Sequence, residues 1–90
     1  MKVQLAPELI NKLKKQDVRI RNSFKKAIEL FSEDQNNLEL DNHELKREWE
    51  GFRSIDVTAD LRAIYQEASE EDEPITYFVA LDTHKNLYKK

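Results

Sequence analysis

The feature that most constrains this chain is the change of texture after its single glycine, Gly51. Downstream stand three runs, FRSIDV, LRAIYQEA and ITYFVALD, each of strand length and each rich in β-branched and aromatic residues. The gaps between them, VTAD and SEEDEP, are short enough to close antiparallel hairpins. A three-strand meander is therefore expected in the second half, and one of its faces needs covering.

The first half supplies the cover. KVQL reads as a short strand, and Pro7 suits the first position of a helix, where its missing N–H costs nothing, with Glu8 at the positive helix end. That helix runs from Pro7 to Lys15. Asp17 can cap a second one, in which Ile20, Phe24, Ala27, Ile28 and Phe31 recur at the spacing of one apolar face. The two form a helical hairpin, and the polar, turn-prone EDQNNLELDN connects it to HELKREWEG. The order β-α-α-β-β-β predicts an α+β fold with helices on one face of a small antiparallel sheet. Trp49 and Phe52 are expected in its core, because aromatic residues carry much of the buried area of a small domain.

Ninety residues fit one domain, read as 1–90, with no room for a second. The chain has no cysteine, which removes disulfides and thiolate metal sites and is compatible with a reducing compartment. It has no signal-like N-terminus and no apolar run near the roughly 18 residues of a membrane span. A cytoplasmic protein with no membrane partner is expected. The net charge of −3 argues against general nucleic-acid binding, yet the charges are segregated. Residues 1–30 carry eight basic and three acidic side chains, while EASEEDE at 67–73 carries five acids and no base. A polyanion therefore still has a positive face to meet, although a solvated charge pattern is the plainer reading.

The residues able to carry chemistry are scattered: His43 ends the polar connection, Asp56 and Asp60 flank the first hairpin turn, Arg62 opens the next strand, and His84 and Tyr88 follow the last. A meander brings the ends of neighbouring strands together, so one rim can collect an imidazole, a carboxylate, a guanidinium and an aromatic ring. That set suits acid–base cleavage of RNA, in which a base takes the 2′-hydroxyl proton, an acid protonates the leaving 5′-oxygen and a cation stabilises phosphate charge. Each residue also has a plainer role. Asp60 suits a turn, Arg62 can pair across strands with Asp56, and Leu87 with Tyr88 can pack on the sheet. No ligand spacing such as HxxxH supports a metal site built from His43, His84 and a carboxylate, and EASEEDE lacks the alternation of a calcium loop. Phosphate-binding glycine motifs are absent, and no cofactor is expected.

Taken together, NHELKREWEGFRSIDVTADLRAIYQE and ITYFVALDTHKNLY resemble the RelE/ParE superfamily of bacterial type II toxin–antitoxin toxins, and within it the YafQ-type mRNA interferases. The resemblance spans most of the chain. It implies metal-independent cleavage of mRNA on the translating ribosome and neutralisation by a cognate antitoxin. By position it implies a catalytic set of His43, Asp60 and His84, with Arg62 on the phosphate and Tyr88 in the place of an important aromatic. Lys46, Arg53, Lys85, Lys89 and Lys90 would hold the RNA backbone. The chain departs from the YafQ pattern, which has histidine at the position of Asp56, tryptophan at Leu61, arginine at Ala80 and glycine at Asp82. Two of these departures put negative charge near the phosphate. A non-nucleolytic member of the fold, a ParE-like gyrase poison or a partner-binding module, is the alternative; the retained histidines favour the nuclease.

Overall fold

The computed structural model describes residues 2–83. Strand β1 (Lys2–Leu5) leads into helices α1 (Pro7–Lys14) and α2 (Val18–Glu33), followed by strands β2 (His43–Glu44), β3 (Arg53–Asp56), β4 (Leu61–Glu70) and β5 (Glu73–Thr83). Short 3₁₀ turns occupy Leu38–Leu40 and Arg47–Trp49.

Local signals set the helix boundaries. Pro7 stands at the start of α1, and the Asp17 carboxylate accepts the Ile20 N–H at 3.1 Å, capping α2. The apolar face of α2 buries Phe24, Ala27 and Phe31 against Ile55, Ala63, Tyr65, Phe78 and Leu81 of the sheet. Phe31 meets Tyr65 and Phe78 edge-to-face, with ring centroids 5.0 and 5.5 Å apart. Cutting so buried a ring back to alanine costs about 3–5 kcal/mol. Lys12 fixes α1 to the sheet by donating from Nζ to the Leu81 carbonyl at 2.6 Å.

The five strands lie in the order β1-β5-β4-β3-β2. The α+β class and the predicted element order are observed, with two additions. β1 joins β5 in parallel, Lys2 opposite Ile75 and Leu5 opposite Phe78, so the sheet is mixed. The pair His43–Glu44, inside the segment read as a connection, forms an edge strand on β3. The β4–β5 hairpin is also longer than SEEDEP suggested, closing over Glu71 and Asp72 alone, both at positive φ (50° and 68°) as a two-residue primed turn requires.

Strand alternation sorts the side chains of β3 and β4. Arg53, Ile55, Ala63 and Tyr65 point to the helical side. Ser54, Asp56, Arg62 and Ile64 point to the other, in register with His43, Ala80 and Asp82. Trp49 and Phe52 correct the sequence reading. They pack on each other edge-to-face at 5.3 Å but are only half-buried and lie outside the core cluster. The loop that carries them turns through Gly51 at φ +92°, a conformation that suits glycine.

Candidate functional site

Arg62 is the centre of the face turned away from the helices. Its side chain is 1% exposed, and its register neighbours are Asp56 on β3 and Asp82 on β5. Nε donates to Asp56 Oδ1 at 2.8 Å, and Nη2 lies 2.6 Å from the same oxygen. Nη2 also donates to Asp41, to the carboxylate Oδ2 at 2.9 Å and the carbonyl at 3.2 Å. Asp41 presents both oxygens because its backbone is left-handed, at φ 48°, where it ends the Leu38–Leu40 turn. A guanidinium has five N–H donors and no acceptor, so two carboxylates and a carbonyl are its natural surroundings when water is excluded.

The remaining edge of the guanidinium meets His43. Arg62 Nη1 lies 2.9 Å from His43 Nε2, and His43 Nδ1 lies 2.9 Å from the Asp41 carbonyl. A guanidinium only donates and a carbonyl only accepts, which assigns the tautomer: Nδ1–H donates to Asp41 and Nε2 accepts from Arg62. Both ring nitrogens of His43 are thus engaged, Nδ1 by Asp41 and Nε2 by Arg62.

A second network lies on the helical side. Asn42 Nδ2 donates to the Gln35 carbonyl at 2.9 Å and lies 2.8 Å from the Tyr65 hydroxyl, while its Oδ1 accepts from Arg53 Nε at 2.9 Å. Burial pushes the Tyr65 hydroxyl above its ordinary pKa, an effect that its bond to Asn42 and the nearby Arg53 partly offset. The consecutive residues Asp41, Asn42 and His43 therefore serve both faces, the outer two on Arg62 and the middle one on Tyr65. Ser54, the register partner of His43, is wholly buried and its hydroxyl has no hydrogen-bond partner among the described residues.

The residues singled out in the sequence divide accordingly. His43 and Arg62 are brought together, and the cross-strand pairing of Arg62 with Asp56 is observed. Asp60 is not in this cluster. It sits exposed in the β3–β4 turn, its backbone N–H held by Thr58 Oγ1 at 3.2 Å. Arg53 faces the helical side, and with Lys46, Arg47 and Phe52 it lines a cleft of about 640 Å³ that also holds Glu44, Glu50 and Glu67. His84, Lys85, Tyr88, Lys89 and Lys90 lie outside the described residues. Asp41, Asn42, Tyr65 and Ser54 were missed. The signal for the first two was the DNH triplet, since Asp and Asn tolerate left-handed backbone and bond locally. Among the described residues no group of three or more His, Asp or Glu is placed to hold a metal ion, and no helix is long and apolar enough to cross a membrane.

Residues 8–89 match the family model described as the bacterial toxin of type II toxin–antitoxin systems, YafQ. This chain belongs to the YafQ family. No functionally curated protein matches it by sequence. Among solved structures it is similar to YafQ from E. coli, at 21% identity and a TM-score of 0.71 over 97% of both chains. A YoeB/ParE toxin from Agrobacterium tumefaciens superposes with a TM-score of 0.73 at 17% identity, over 93% of this chain and 99% of that one. The archaeal RelE–RelB complex from Pyrococcus horikoshii gives 0.68 at 13%, over 91% and 92%. Two helices on a five-stranded mixed sheet are thus the RelE-like fold, and the chain is a YafQ-type toxin of that superfamily.

Proposed function

We propose that this YafQ-family toxin is a ribosome-dependent mRNA endoribonuclease that works by metal-independent acid–base chemistry. The observation that carries this reading is the convergence of His43 Nε2 and Arg62 Nη1, 2.9 Å apart, on the sheet face beside Asp82 of β5. In the reaction a base removes the 2′-hydroxyl proton, the 2′-oxygen attacks phosphorus, the bond to the 5′-oxygen breaks, and an acid protonates that oxygen. His43 suits the base once Arg62 Nη1 leaves its Nε2 to accept the proton. His84, which follows the last described residue of β5, is the leading acid, with Asp60 acting from the turn that enters β4. Arg62 first orients His43. It reaches the phosphate when Asp41, whose side chain is 64% exposed, turns away. Lys46, Arg53 and Lys85 hold the RNA backbone, and Tyr88 stacks on a base. In the cytoplasm the partners are the ribosome with its mRNA and a cognate antitoxin, as RelB accompanies RelE in the Pyrococcus complex. The antitoxin docks against the helical hairpin or a sheet edge.

One observation favours the second reading, a non-nucleolytic member such as a gyrase poison: Arg62 is saturated by two carboxylates. Induced expression of the wild type and His84→Ala, with primer extension on a reporter mRNA, separates the two. Ribosome-dependent cuts that vanish in the variant are expected. Growth arrest with intact mRNA and induced DNA damage would establish the alternative.

A further inference from the structure

The outer clamp on His43 has to open for the proposed chemistry, and what then still holds the ring is anchored on the other side of the sheet. When Arg62 Nη1 leaves Nε2 and the Asp41 carboxylate turns away, His43 keeps its Nδ1 bond to the Asp41 carbonyl, a backbone group. That bond orients the ring only while the backbone of residues 41–43 stays in place. Local structure holds this segment thinly: Asp41 is left-handed, at φ 48°, which costs a residue other than glycine, and β2 is two residues long. Asn42 adds a grip from the helical side. Its Nδ2 donates to the Gln35 carbonyl across the loop at 2.9 Å, and its Oδ1 accepts from Arg53 Nε at 2.9 Å. The Tyr65 hydroxyl lies 2.8 Å from Nδ2 and 3.1 Å from Oδ1. The Gln35 carbonyl only accepts and Arg53 Nε only donates, so the amide fits one way round. Tyr65 is itself wholly buried against Phe31 and Phe78, which ties the loop to the packed core.

We infer that Asn42 is a positioning residue for His43: from the opposite face of the sheet it fixes the Asp41–His43 backbone, and so keeps the His43 Nδ1–H on the Asp41 carbonyl after Arg62 has left for the phosphate. Its use in cleavage rests on the nuclease reading, whereas the geometry does not. The need for such an anchor is set by the sensitivity of proton transfer to placement, since a shift of about 1 Å far from the chemistry can cost about 100-fold in rate. Asn42 bonds to Gln35, Arg53 and Tyr65 on the side turned away from Arg62, so its removal acts on rate rather than on RNA affinity. The competing anchor is Leu40, 1% exposed and part of the core cluster, which by itself would make Asn42 redundant.

The first test reads His43 without any nuclease activity. In the nitrogen-labelled full chain at about pH 8, where an ordinary imidazole is neutral, ring-nitrogen NMR shifts report the tautomer, and His84→Ala tells the two histidines apart. Arg62→Met imitates the released state and should keep the Nδ1–H tautomer. Arg62→Met/Asn42→Ala should lose it, the two nitrogens averaging between tautomers. Because that double variant loses stability twice over, Asn42→Ala alone is the second measure. With Arg62 in place, its His43 Nδ1 proton should exchange with water at least about tenfold faster, while the backbone amides of β4, which report opening of the whole fold, change less. The second test is primer extension in a translation extract. Asn42→Ala should lower the cleavage rate at saturating toxin about 10- to 100-fold and leave the half-saturating concentration within about twofold. Asn42→Asp keeps an oxygen for Arg53 and Tyr65 and should recover the rate to within about threefold. An Nδ1 proton no less protected in Asn42→Ala than in the wild type would overturn the inference and leave the hold to Leu40. So would a raised half-saturating concentration at an unchanged maximal rate. A wild type that cuts no mRNA would remove the nuclease reading, and the nitrogen spectra would then decide the role of Asn42 by themselves.

Discussion

Replacing Arg62 by methionine tests most directly what holds the outer sheet face together. The substitution keeps most of the side-chain length, removes every donor, and leaves Asp56, Asp41 and His43 facing an apolar group. Breaking a buried ion pair by deleting one partner costs about 3–5 kcal/mol when the remaining charge stays dry. Here the stranded carboxylates can rehydrate, since the side chains of Asp56 and Asp41 are 32% and 64% exposed. The expected loss is therefore smaller, about 2–3 kcal/mol. Against the roughly 5–13 kcal/mol total for a domain of this size, that is a large share. Urea denaturation followed by circular dichroism should show the midpoint falling by about 1–2 M at constant slope. Arg62→Met/Asp56→Asn should recover about 1 kcal/mol, because one stranded charge is gone. A loss under about 0.5 kcal/mol, with no recovery in the double variant, would refute Arg62 as the centre that holds this face together.

Three further outcomes are expected. Asp41→Asn weakens the clamp on Arg62 and should raise reporter-mRNA cleavage several-fold, whereas Asp56→Asn, which loosens the guanidinium at its inner edge, should lower it; primer extension reads both. Tyr65 has a folded pKa above its ordinary 10.0, so its contribution to stability is intact below pH 10 and is lost as pH rises from there towards the folded value. Tyr65→Phe should flatten that alkaline limb in melting curves recorded from pH 9 upward. Ser54→Ala removes a buried hydroxyl without a partner among the described residues and should be neutral or stabilising by up to about 1 kcal/mol in urea titration.

The sequence was legible where local rules decide. Pro7, Asp17 and the spacing from Ile20 to Phe31 placed both helices, and β-branched runs placed three strands. The longer β4–β5 hairpin was hidden because its two-residue turn is made by Glu71 and Asp72, whereas the usual signal for that geometry is Asn-Gly. The parallel pairing of β1 with β5 joins opposite ends of the chain, which no local pattern reports. Of the site, the meeting of His43 and Arg62 was foreseen from strand ends converging, and Asp56 as a cross-strand partner. The clamp by Asp41 was not, since it depends on one left-handed residue in a polar loop. Trp49 and Phe52 show the limit of composition: large aromatics stay half-exposed when their loop turns them onto each other.

The β1–β5 pairing also governs when the protein can become itself. Lys2 waits for Ile75 and Leu5 for Phe78, so the first strand made is completed by the last. Contacts this distant in sequence close large loops and slow folding relative to helical hairpins. During synthesis α1 and α2 can form early, but β5 must leave the ribosome before β1 has a neighbour, before Phe24 and Phe31 have Phe78 to pack on, and before Asp82 stands opposite Arg62. Until β5 has emerged the nascent chain thus lacks an assembled Arg62 face, and a partner that grips the helices in that interval meets a sheet still unfinished.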